Sequence, residues 1–153
     1  MDKDHVYWMK QALQQAEKAF KLKEIPVGAI IIKDGQIIGK GYNQKEQLND
    51  PTAHAEIIAI TAAANTLEDW RLNECTLYVT KEPCSMCSGA IVNARLKMVV
   101  FGCYDEEEGC CGSLYQLCGD PRFKTKVAVK GGIMEMQSLS IIKDFFANQR
   151  NKV

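Results

Sequence analysis

Hydrophobic and polar positions follow a helical period at the start of the chain. Val6, Met9, Leu13, Ala16 and Phe20 recur at steps of three and four, while Lys10, Gln14, Glu17, Lys18 and Lys21 take the other face. This predicts an amphipathic helix that Pro26 ends. Two β-rich runs follow, Val27 to Lys33 and Gln36 to Gly41, joined by Asp34-Gly35, a strong hairpin signal. Asn43 to Pro51 is polar and reads as a loop. The pattern then alternates between periods. Thr52 to Asn65 reads as a helix with Pro51-Thr52 as its start signal, Thr76 to Thr80 as a strand, and Cys84 to Asn93 as a short helix. Met98 to Phe101 is a strand, followed by an acidic, glycine-bearing stretch from Asp105 to Gly112. A short helix over Ser113 to Cys118, a weaker strand over Lys126 to Val129 and a closing helix over Ser138 to Gln149 complete the reading. The last is built around Leu139, Ile142, Phe145 and Phe146.

A hairpin followed by alternating helices and strands requires crossover connections, and hence some parallel pairing. The expected fold is α/β, a three-layer α/β/α arrangement around a mixed five-stranded sheet. No linker, repeat or low-complexity tract divides the 153 residues, so a single domain over 1–153 is expected. Composition adds little: 46% hydrophobic and 25% charged residues are ordinary for a globular protein. Nineteen basic and nineteen acidic side chains cancel, which excludes a strongly basic nucleic-acid coat but not a local basic patch. Asp2-Lys3-Asp4-His5 is too charged for a signal-peptide core, and no apolar run approaches the ~18 residues of a membrane span. A cytoplasmic location is expected, with the seven cysteines reduced.

Two segments carry chemistry, Pro51-Thr52-Ala53-His54-Ala55-Glu56 and Glu82-Pro83-Cys84-Ser85-Met86-Cys87. Each lies where a loop feeds a predicted helix. Cys84 and Cys87, three apart, can aim two sulfurs at one point, and a helix N-terminus favours their thiolates. His54 can add an imidazole nitrogen. One nitrogen and two sulfurs suit zinc and leave a fourth position for water, whose pKa zinc lowers to about 7. Glu56, two residues beyond His54, can take that water's proton and pass it on. His-x-Glu followed by Pro-Cys-x-x-Cys is the known signature of zinc nucleobase deaminases. Blander readings exist: a redox Cys-x-x-Cys pair, or a structural zinc closed by Cys103, Cys110, Cys111 or Cys118. His54 as a core histidine and Glu56 as a surface carboxylate would each be ordinary alone, but not together in Thr-Ala-His-Ala-Glu. His5, near the N-terminus, is expected to have no role.

With these motifs the chain resembles the cytidine deaminase-like superfamily, and within it the bacterial tRNA-specific adenosine deaminases. The likeness extends over nearly the whole length, through Glu24 to Ala29, Asn43, Trp70-Arg71-Leu72, Cys75 to Thr80, Val99 to Gly102, Gly112-Ser113-Leu114 and Asp144-Phe145-Phe146. The resemblance implies hydrolytic conversion of the wobble adenosine of an arginine tRNA to inosine, in a homodimer with one zinc per subunit. It implies that His54, Cys84 and Cys87 hold Zn2+ and that Glu56 is the proton shuttle. It also implies that Asn43 hydrogen-bonds a flipped base, that Val27 and the Ala55 backbone line the pocket, and that Asp105 and Phe145 lie near anticodon-loop nucleotides. A free nucleobase or nucleoside, such as guanine or cytosine, is the alternative substrate class.

The second half departs from the family pattern. Arg122 to Lys126 stands where an Asn-His pair is usual, and Gln137-Ser138 where Glu-Cys is usual; Lys81 and Ser88 replace the commoner Leu and Ala. Arg122, Lys124, Lys126 and Lys130, with Arg150 and Lys152, offer a basic stretch that could hold phosphates or be a solvated surface. Asp105-Glu106-Glu107-Glu108 would repel phosphate unless Asp105 turns inward and the other three face solvent.

Overall fold

The computed structural model describes residues 3–150, so Lys152 lies outside the described residues. Helix α1 spans His5–Lys21, and the Asp4 carboxylate caps it by accepting the Tyr7 N–H at 2.8 Å. Its buried face is Trp8, Met9, Ala12, Gln15, Ala16 and Ala19, rotated from the expected stripe so that Val6 is exposed. The cause is close packing, since small side chains must lie inward where α1 crosses the sheet. The helix also stops short of Pro26: Leu22 is its C-cap, and Lys23 turns the chain at φ 64°.

Strands β1 (Gly28–Lys33) and β2 (Gln36–Tyr42) form the expected hairpin, with Asp34 at φ 51° and Gly35 at φ 72°. Two positive φ values in a row match the type I′ turn that follows strand twist. Strand β3 (Thr76–Lys81) pairs antiparallel with β1, and β4 (Met98–Cys103) pairs parallel with β3. Strand β5 covers Ala128–Lys130, later than the expected Lys126 to Val129, and pairs parallel with β4. The order β2-β1-β3-β4-β5 is the mixed five-stranded α/β sheet expected.

Alternation along the strands divides the core in two. Ile30, Tyr78 and Val100 pack with Trp8, Met9 and Ala12 on the α1 face. Ala29, Ile31, Leu77, Val79, Val99 and Phe101 form the opposite face, against helices α3 (Ala55–Leu67) and α4 (Ser85–Asn93). A further helix, α5 (Glu135–Arg150), starts three residues before the expected Ser138. Two glycines in β2 set how closely α3 approaches. A Cβ on Gly39 would lie 2.5 Å from the Ala59 carbonyl oxygen, and one on Gly41 would lie 2.3 Å from the Ala55 carbonyl oxygen.

Two stretches differ from the sequence reading. Within Asn43 to Pro51 lies a one-turn helix, α2 (Lys45–Leu48), whose Glu46 and Gln47 N–H groups donate to the distant Glu24 carboxylate. Ser113 to Cys118 is a chain of turns with a single bridge between Cys111 and Gln116, not a helix. Its N–H groups have other partners: Ser113 donates to Glu82, Leu114 to the Gly109 carbonyl and Leu117 to the Cys110 carbonyl.

Candidate active site

The site forms where β1 begins, β3 ends and two helices start. His54 is the N-cap of α3 and Cys84 the N-cap of α4, both extended and neither spending its side chain on a capping bond. α3 starts at Ala55 rather than Thr52 because the Thr52 N–H and hydroxyl both donate to Asp50 Oδ1, at 2.8 and 2.7 Å. That Asx turn places His54 at the helix mouth. Cys87, one turn into α4, is fully buried.

His54 Nδ1 lies 3.6 Å from Cys84 Sγ and 3.5 Å from Cys87 Sγ, and the three ligand atoms all fall within 4.8 Å of one another. Zn–N bonds of about 2.0–2.1 Å and Zn–S bonds of about 2.3 Å at a tetrahedral angle separate N from S by roughly 3.6 Å. The donor set and its spacing therefore fit a tetrahedral metal ion. None of Cys103, Cys110, Cys111 or Cys118 joins this cluster among the described residues. Contact with the Cys87 thiol and with His54 holds Cys84 down to about 3, as a thiolate, and pushes the Cys87 thiol up. The Cys84 contact also raises His54, against its partial burial.

Glu56 is 4% exposed in the first turn of α3, and burial raises its carboxyl above the usual range. A cavity of about 100 Å³ opens in front of it, lined by Val27, Asn43, His54, Ala55, Glu56 and Cys84, with Lys45, Lys81 and Asp105 also on its wall. Asn43 Nδ2 donates to the Ile25 carbonyl at 3.1 Å, and Asn43 Oδ1 accepts the Lys45 N–H at 3.2 Å. This fixes the amide orientation and leaves one N–H and one lone pair for another partner.

Glu106 and Glu107 face solvent, but Glu108, though exposed, borders the cavity, so the acidic run does not turn wholly away from the mouth; Asp105 turns inward. Its Oδ2 pairs with Lys81 Nζ at 3.0 Å, and its Oδ1 accepts the Glu107 and Glu108 N–H groups at 3.1 and 3.2 Å. Burial opposes ionisation, but Lys81 and these N–H groups outweigh it and hold the carboxyl below its ordinary value. Phe145 is outside the cavity. It packs edge-on against Phe20 at 5.9 Å and borders an adjoining groove with Phe146, Gln149, Ile25, Asn43 and Lys45. The last three residues line both spaces. The basic stretch is not part of this wall: Arg122 pairs with Asp120, and Lys124 lies beside Trp70 and Arg95.

Four residues of functional weight were assigned no role from the sequence. Lys45 and Lys81 supply the cavity's cations. Glu24 and Glu82, 1% and 3% exposed, brace its two rims. The Glu82 carboxylate accepts the Asp105 N–H at 3.0 Å, the Cys111 N–H at 3.0 Å, the Ser113 N–H at 2.9 Å and the Ser113 hydroxyl at 2.5 Å. For the two acids the linear signal was a carboxylate one or two residues before a proline, Glu82 before Pro83 and Glu24 before Pro26.

Residues 3–150 match the family model of MafB19-like deaminases. A tRNA-specific adenosine deaminase of Streptococcus pyogenes serotype M18 (strain MGAS8232) is 42% identical over 149 residues, 97% of this chain and 94% of its own. The chain belongs to the tRNA-specific adenosine deaminases. A solved wobble-position tRNA deaminase, studied for A-to-I editing, superposes on this deaminase with a TM-score of 0.85 at 36% identity. It covers 90% of this chain and 99% of that one. A guanine deaminase from Bacillus subtilis matches with a TM-score of 0.64 at 42% identity, over 67% of this chain and 66% of its own.

Proposed function

We propose that this chain converts the wobble adenosine of a tRNA anticodon loop to inosine, releasing ammonia, with an arginine tRNA as substrate. The observation that carries this reading is the cavity itself. It has room for a single base, has Glu56, His54 and Cys84 on its wall with the buried Cys87 completing the cluster, and continues into a Phe145–Phe146 groove through shared residues. A flipped base occupies the first space while its neighbours in the strand lie along the second.

In this reading His54, Cys84 and Cys87 hold one zinc ion per subunit. Bound zinc supplies Lewis-acid activation of a water molecule. Glu56 accepts the proton of that water and delivers it to the ring nitrogen beside the reacting carbon, then takes the proton of the hydroxyl now bonded to that carbon and passes it to the departing amine. Adenine and water thereby become hypoxanthine and ammonia. The raised carboxyl of Glu56 suits a group that must both take and give a proton. Asn43 offers its free N–H and lone pair to the base edge, Val27 and Ala55 pack on the ring faces, and Asp105 and Phe145 meet flanking nucleotides.

The protein acts as a single domain, in a homodimer, in the cytoplasm. Among the described residues no helix is long and apolar enough to cross a membrane. The second reading, guanine as a free base, is favoured by the Bacillus subtilis likeness and the small ring cavity.

The test incubates zinc-loaded protein with an arginine tRNA anticodon stem-loop bearing wobble adenosine, beside guanine, cytosine, adenosine and cytidine. Inosine in the stem-loop alone is the expected result; ammonia from a free base with the RNA untouched replaces it with the second reading. Glu56→Ala should retain zinc and fold while losing activity by on the order of a hundredfold or more. Loss of zinc in that variant would make Glu56 a ligand instead.

A further inference from the structure

Behind the site, on the core side of α4, lies a thiol cluster that the deamination chemistry does not use. Cys111 Sγ and Cys118 Sγ are hydrogen-bonded at 3.3 Å, and Ser88 Oγ lies 3.4 Å from Cys111 Sγ. Cys118 Sγ also lies 3.8 Å from the Ser88 carbonyl oxygen. Both cysteines are buried, 2% and 0% exposed, within the larger apolar core. We propose that Cys111 and Cys118 are a modification site, a dithiol that closes to a reversible disulfide and takes a hydroperoxide as its oxidant.

Three observations support this. The first is distance: the sulfurs need to close only from 3.3 Å to the roughly 2.05 Å of a disulfide. The second is polarisation. Contact with Cys118 and with the Ser88 hydroxyl holds the Cys111 thiol below its ordinary value, outweighing burial, and pushes Cys118 up. The pair thus contains a nucleophilic sulfur and a proton-bearing neighbour. The third is the segment itself. Residues 104–118 form turns joined by one isolated bridge, with Leu114 and Tyr115 exposed at the tip. Such a segment opens locally at far lower cost than a strand or helix, which admits a small oxidant. Cys75, also buried, has among the described residues only the Asn73 carbonyl as a polar contact, at 3.5 Å.

The chemistry balances with hydrogen peroxide as the co-reactant. The Cys111 sulfur attacks one peroxide oxygen, the O–O bond breaks, and the products are a sulfenic acid and water. The Cys118 sulfur then attacks the Cys111 sulfur, forming the S–S bond and releasing a second water. The protein loses two hydrogens and two electrons, and the peroxide is reduced to two waters. A thiol reductant reverses the change by exchange. No metal ligand takes part.

The test treats the zinc-loaded protein with hydrogen peroxide, alkylates the remaining thiols and cleaves with chymotrypsin under non-reducing conditions. Cutting at Leu114 or Tyr115 falls between the two cysteines. The expected result is a mass loss of about 2 Da and fragments that stay joined through Cys111 and Cys118 until dithiothreitol separates them. In Cys111→Ser and Cys118→Ser the surviving thiol should be alkylated instead. Mapping of the unsubstituted protein decides the matter if either variant does not fold. Full alkylation of both thiols after peroxide has oxidised methionine elsewhere overturns the proposal. So does a Cys110–Cys118 link, or sulfinic acid at either position without a cross-link.

Discussion

Replacing Glu82 with glutamine tests whether one buried carboxylate holds the outer rim of the site. Oε1 accepts the Asp105 N–H and the Ser113 hydroxyl, and Oε2 accepts the Cys111 and Ser113 N–H groups. An amide can keep its oxygen on the Oε2 side, and the Ser113 hydroxyl can rotate to accept from the new NH2. The Asp105 N–H then meets a donor and loses its partner. One charge-assisted bond to a buried acceptor is worth about 1.5–3 kcal/mol, and the retained bonds weaken as the charge is removed. Glu82→Gln should therefore lower unfolding stability by about 2–3 kcal/mol in a urea titration. The loss should be concentrated in the rim, so chymotrypsin cleavage at Leu114 and Tyr115 should accelerate more than global unfolding. A change below about 0.5 kcal/mol with unaltered cleavage would refute the reasoning, because it would mean the four donors find water as readily as Glu82.

Further outcomes follow from single contacts. Gly41→Ala puts a methyl against α3 backbone atoms that cannot swing aside, and should cost about 3 kcal/mol by thermal or urea unfolding. Ser138→Ala should stabilise by about 1 kcal/mol, read as a melting temperature higher by about 2–4 °C, because the Ser138 hydroxyl is buried without a partner among the described residues. Burial pushes Tyr78 up to about 12, with Asp4 adding to the effect. The unfolded chain ionises this phenol near 10 while the folded one keeps its proton, so stability contributed below pH 10 is lost as pH rises toward 12. Absorbance titration should show one of the five tyrosines ionising about two units late, and Tyr78→Phe should remove that step.

The central elements of the fold were legible because each depends on local pattern. The period of α1, the Asp34-Gly35 turn and the apolar runs of β3 and β4 need no distant partner to be recognised. The cluster that could hold a metal was legible for a different reason: His54, Cys84 and Cys87 are rare residue types in a rare spacing. What escaped was set by contacts far apart in the chain. α2 exists because Glu24 caps it from more than twenty residues away, and Ser113 to Cys118 is not helical because Glu82 and other acceptors take its N–H groups. The rotated face of α1 follows from how closely it must approach β1, which the helix's own periodicity does not encode. His5, expected to be idle, places Nδ1 2.7 Å from the Tyr78 hydroxyl, a pairing formed only by the fold.

The glycine floor under α3 divides the site into a part that can be redesigned and a part that cannot. Since the helix carrying His54 and Glu56 rests on β2 backbone to backbone, no side-chain spacer remains whose trimming or lengthening would tune its height. The depth at which these two residues stand is a property of strand geometry, and core substitutions elsewhere leave it unchanged. The rims have no such floor. Lys45 sits on the one-turn helix α2 and Asp105 on a turn segment, held by Glu24 and Glu82, and the length and sequence of both can change while the floor of the cavity stays put. A chain built this way can acquire a new substrate by exchanging its rims, and keeps its chemistry as it does so.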